Sequence, residues 1–226
     1  MKNFLDLDSP LIRVLSAVAD LVLLNLLWLV CCIPVVTIGP SCTAMCYTAR
    51  RIANRESPVV AQTFFRAFKE NFKQSFQVFL VLLLPIAVAA SSFLFLLSGQ
   101  LDDAGWLKLV YGAVILFSCF FCSYAYPLLA YFDNSFKNTV RNIVMMPMAN
   151  PLLALVVTVL DLLPLLLLLF SLEIFARCII FWIVIGAALT AVVKMKLLDR
   201  LFRRFVTPGT EPEEPAGRVE GPDGEV

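Results

Sequence analysis

Long uncharged apolar runs alternate along this chain with short charged segments. Leu21 to Ala49, Gln74 to Leu101 and Leu109 to Phe132 carry no charged residue, and Asn142 to Leu172 carries only Asp161. A helix needs about 20 mostly apolar residues to cross a hydrocarbon core about 30 Å thick, so each run predicts a membrane span. A fifth run, Cys178 to Val193, is shorter, but Phe175 and the aliphatic stems of Arg177, Lys194 and Lys196 can extend it to both interfaces. The pattern predicts an all-α polytopic membrane protein. Five transmembrane helices are expected near residues 12–36, 76–98, 107–131, 150–172 and 175–195, inside a membrane domain of residues 1–206.

Between the first two spans the period changes. Ala61, Phe64, Phe65, Phe68, Phe72, Phe76 and Phe79 recur at three- and four-residue steps, with Arg66, Lys69, Glu70 and Lys73 on the opposite side. This predicts a basic amphipathic helix that leads into the second span. It suits the membrane interface, aromatics toward acyl chains and cations toward headgroups. It also suits a protein partner that meets Arg66, Lys69 and Lys73. A second basic segment, with Lys137 and Arg141, precedes the fourth span as Lys69 and Lys73 precede the second. The 68-residue offset suggests that spans two and three repeat as spans four and five.

The loop charges orient the spans. Arg50, Arg51, Arg55, Arg66, Lys69 and Lys73 follow the first, whereas Ser98 to Trp106 has Asp102 and Asp103 and no cation. Lys137 and Arg141 follow the third span; Lys194, Lys196, Arg200, Arg203 and Arg204 gather at the end of the fifth. The positive-inside rule then puts the N-terminus outside and the C-terminus in the cytoplasm. Residues 207–226, with four Pro, four Gly and six acids against Arg218, predict a disordered acidic cytoplasmic tail. The acids before the first apolar run and the lack of a small-residue cleavage site argue against a cleaved signal peptide.

Composition adds exclusions. With 60% hydrophobic and 15% charged residues and a mean hydropathy of +0.86, the 226-residue chain is no water-soluble globule. Its 18 Lys and Arg against 17 Asp and Glu give a net charge of +1, which supplies no footprint for nucleic acid. There is no His, so Ser/His or Cys/His nucleophilic catalysis is excluded. Five of the seven Cys fall within spans, and Cys119 and Cys122 share an apolar helical run rather than a zinc or redox loop. No phosphate-binding, metalloprotease or nucleophile-elbow motif is present. The expectation is therefore no enzyme, no cofactor and no metal.

The polar remainder is small. Pro34 stops the first span at Ile33 by sterics and a lost N–H, Gly39 can take positive φ, and Pro40 suits a helix start. A break at Pro34 to Pro40 is expected, then a membrane-edge helix from Pro40 through Arg50 and Arg51. Its 13 residues from Thr37 to Ala49 are too few to cross back. Irregular backbone at this depth either lines a cavity or makes a simple elbow. Asp161 lies inside the fourth span and costs roughly 2.5 to 3.5 kcal/mol on insertion scales. It is either a cation or substrate contact or a packing residue. Asp20, with Asn25, sits in the first span, where Arg13 could reach toward it. Glu173 and Arg177 are spaced for a local ion pair.

Trp28, Cys31, Ile33, Pro34, Thr37, Ile38, Gly39 and Pro40, followed by a short basic helix, resemble the YesL-like family of bacterial membrane proteins, a domain of unknown function. The resemblance continues through Phe64 to Lys73 and Tyr124 to Asn142. It implies a bacterial plasma-membrane protein encoded near carbohydrate ABC importers, hence a regulatory or accessory subunit that contacts importer membrane or nucleotide-binding subunits. A small stand-alone transporter or channel, with Asp161, Asp20 and the elbow along its path, is the other reading.

Overall fold

The computed structural model describes residues 10–56, 58–97, 105–132 and 135–203. The acidic tail, with Asp102 and Asp103, lies outside them. Helix α1 covers Pro10–Cys31, α2 Ile38–Ala53, α3 Val60–Leu97, α4 Gly105–Tyr131, α5 Phe136–Ala149, α6 Pro151–Phe170, α7 Leu172–Phe181 and α8 Ala187–Phe202. A π-helical turn, Trp182–Gly186, joins α7 to α8, and a 3₁₀ turn, Val35–Thr37, precedes α2. Among the described residues there is no strand. Five helices are long and apolar enough to cross a membrane, Ile12–Cys31, Val60–Phe95, Trp106–Tyr131, Pro151–Phe170 and Leu172–Phe202.

Three boundaries differ from the sequence expectation. The first span ends at Cys31 rather than near residue 36, because Pro34 disfavours helix in the residues before it. The fifth runs on to Phe202, since Lys194 is not at an interface but inside the bundle, only 7% exposed. The helix of the second span begins at Val60 rather than near residue 76, continuous with the amphipathic segment that leads into it. Nothing between Val60 and Leu84 breaks it, Pro85 is accommodated, and α3 continues as one helix of 38 residues, about 57 Å long.

Helix α2 is corrected most. It begins at Ile38, and it is a core helix rather than a peripheral one: Gly39, Pro40, Ser41, Thr43, Ala44, Met45, Cys46, Thr48 and Ala49 are buried. It packs against α1, α3, α4 and α8. Small residues allow this. A Cβ on Gly39 would lie 2.7 Å from both the Phe79 Cβ and the Ser75 carbonyl oxygen of α3, so Gly39 serves close helix approach rather than a positive φ. Ser75 Oγ donates to Thr43 Oγ1 at 2.9 Å across the same contact. Ser75 and Phe79 of α3 thus meet α2; Thr63, Phe64 and Ala67 are buried with them, while Phe65 and Phe72 of the aromatic stripe are exposed.

The main core collects Leu24, Ala44, Phe64, Tyr124, Leu128 and Met195 from α1, α2, α3, α4 and α8. A smaller cluster, Val78, Ala125, Leu129 and Ile143, seats α5 on α3 and α4. At one end, Arg50 of α2 lies 3.9 Å from the ring centre of Tyr131, which meets Phe132 and Phe202 edge-on or tilted. The C-terminal ends of α2, α4 and α8 therefore converge.

Candidate functional site, an ion pair within the bundle

Asp161 is not a lone carboxylate. Lys194 Nζ donates to its Oδ1 at 2.9 Å and its Oδ2 at 3.0 Å, with the Lys194 side chain 9% exposed and that of Asp161 28%. A pair with both oxygens engaged offsets much of the desolvation that either charge would suffer alone. Cys42 and Cys46 of α2 lie within the electrostatic reach of both charges, so the pair joins α6 and α8 beside the buried α2. Trp28 Nε1 reaches Cys42 Sγ at 3.4 Å, bringing the end of α1 to the same region. The sequence reading had assigned Lys194 to the interface. The signal that would have found it is that an acid in one span calls for an opposite charge in another.

Asn25 does different work. It is fully buried. Its Nδ2 donates to the Ile183 carbonyl at 2.6 Å, and its Oδ1 accepts from the Ala188 N–H at 2.8 Å. These are backbone groups that the π turn displaces from the regular ladder. Gly186 contributes space, because a Cβ there would come within 2.9 Å of the Trp182 ring. Asp20, partly exposed, lies five residues before Asn25, about 140° around α1, and so faces elsewhere.

The elbow divides. Ile33, Val35 and Val36 are 78%, 61% and 53% exposed, and Pro34 is exposed with them, whereas Gly39 and Pro40 are buried. Thr37 Oγ1 lies 2.6 Å from the Cys31 carbonyl and 2.7 Å from that of Pro34, closing the end of α1 on itself. The outer half is thus an apolar bend on the surface and the inner half a packing contact. The structure brings Asp161 to Lys194, and Gly39 to α3, but does not gather Asp20, Asn25, Pro34 and Asp161 into one lining.

The basic candidates lie elsewhere. Lys69, Lys73, Lys137 and Arg141 are exposed; Arg66 is half-buried, its Nε enclosed without a hydrogen-bond partner. Glu173 and Arg177 form the expected ion pair at the start of α7. The cysteines are free thiols, and the described residues hold no group of three or more His, Cys, Asp or Glu placed to bind a metal ion.

Residues 21–93 match the model of a family described as "Protein of unknown function, DUF624". The match covers the second half of α1, the elbow, α2 and α3 as far as Phe93. No curated protein and no solved structure matches the chain.

Proposed function

We propose that this chain is a non-enzymatic accessory or regulatory subunit of a bacterial plasma-membrane import system, with its N-terminus outside and the α2–α3 hairpin on the cytoplasmic side. The observation that carries this reading is the first half of α3. About 20 residues suffice to span the bilayer, so the 38-residue helix leaves roughly 18 residues, about 27 Å, to project beyond it. The projecting part is braced by α2 and presents Phe65, Lys69, Phe72 and Lys73 on one exposed face. Exposed aromatic side chains supply anchors for a protein partner, and the two lysines supply charge complementarity to an acidic one. A carbohydrate ABC importer is the partner that the YesL-like resemblance suggests. A transport path lined by Asp161 would require its pair with Lys194 to open first, so the accessory reading is the better supported.

Mild-detergent purification of the full chain from its native membrane tests this. Importer subunits should co-purify with the parent protein and be lost from Lys69→Glu/Lys73→Glu, whose melting temperature stays that of the parent because both side chains are exposed. Arg66 is left unchanged, since its enclosed guanidinium makes reversal a folding test. Absence of importer subunits from the parent preparation would overturn the proposal.

A further inference from the structure

The two basic amphipathic segments look alike in sequence, yet the fold uses them differently. Helix α5 is fastened at the border of the apolar part of α3: Gln74 Nε2 donates to Thr139 Oγ1 at 2.8 Å, and Gln74 is the first residue of the charge-free run that makes the second span. One helical turn further on, Ile143 packs with Val78, Ala125 and Leu129. The inner face of α5 is thereby occupied at interface depth.

Its outer face holds Lys137, Arg141, Val144, Met145 and Met148, all exposed, at spacings that put them on one side of a helix. The two cations lie in its first half and the three apolar residues in its second. No acidic residue lies anywhere from Phe136 to Ala149. Beyond Asn150 and Pro151 the apolar exposure resumes in α6, whose Leu152 and Leu155 are 77% and 57% exposed. That adjacency to the outward surface of a span identifies the occupant as lipid rather than protein, and the two cations select its charge.

We infer that the outer face of α5 binds the headgroups of anionic phospholipids at the membrane interface through Lys137 and Arg141, with Val144, Met145 and Met148 among the acyl chains. The Asn150–Pro151 break then has a purpose. It ends α5 and starts α6, with Pro151 at the first helical position, where its missing N–H costs nothing.

Electron spin resonance of the full chain in phosphatidylcholine vesicles, with spin-labelled phosphatidylglycerol or spin-labelled phosphatidylcholine as the probe, tests the inference. The parent should prefer the anionic probe at low salt, and Lys137→Gln/Arg141→Gln should lose most of that preference. Arg55→Gln/Lys196→Gln, with the same change in charge, should keep it. An equal loss in both double variants, or none in the first, would overturn the inference. Pairing of two copies through this face would overturn it too. It would appear as a dimer mass in detergent that Met145→Arg reduces to that of a monomer.

Discussion

A carboxylate and an ammonium moved out of water together cost far less than either moved alone, and removing one leaves the other exposed to the full penalty. Asp161 and Lys194 are such a pair, and the lysine is the more enclosed of the two. Asp161→Leu is expected to destabilise the protein by about 3 kcal/mol, at the low end for a buried pair because the aspartate retains some exposure. Asp161→Leu/Lys194→Leu should recover most of the loss. Thermal unfolding in detergent reads both, and a single variant as stable as the parent would show that the pair carries no stability. The sequence made Asp161 visible, since a charge within an apolar run needs a reason. It did not make Lys194 visible, because a cation near the end of a run fits the interface equally well. Asn25 was legible only as a polar residue in a span; its partners are backbone groups of a turn more than 150 residues away.

At the scale of elements, the α2–α3 contact governs the arrangement. The Phe stripe predicted a helix, and the fold divides it, burying Phe64 and Phe79 and leaving Phe65 and Phe72 exposed, because helices without a hydrophobic drive between them approach closest where side chains are smallest. Gly39→Ala tests this. Its new methyl would press on the Phe79 Cβ and on the Ser75 backbone, neither of which can rotate aside, so a loss of about 2 kcal/mol is expected. Gly112→Ala in α4 is the control, as its Cβ would meet nothing within 4 Å. Unfolding temperatures that fall only for Gly39→Ala would support the close approach; equal behaviour would remove it. Burial also sets the chemistry of α2, where it pushes the Cys46 thiol up to about 12 and so keeps it an unreactive packing residue.

For the molecule as a whole, the proposed five-span topology puts the two ends of the described chain on opposite faces. The hairpin tip at Arg55 and the C-terminal end of α8 then share a face, as the meeting of Arg50, Tyr131 and Phe202 requires. Trypsin should cleave after Arg55 and in the region of Arg200 to Arg203 in inside-out vesicles but not in right-side-out ones. Cleavage at these sites from opposite sides would refute the five-span topology. The number and rough places of the spans followed from the sequence by itself, because transfer of an apolar run of about 20 residues into lipid is a local property. So did the presence of a break at Pro34, which is a matter of local sterics. The tertiary structure alone decided that α2 is a core helix, that Asn25 holds a π turn, that Asp161 has a counter-charge, and that only one basic helix lies apart from its span. Each of these depends on which helix faces meet. Many registers of five apolar cylinders bury similar apolar area, and the choice among them rests on a few small residues and polar pairs far apart in the chain.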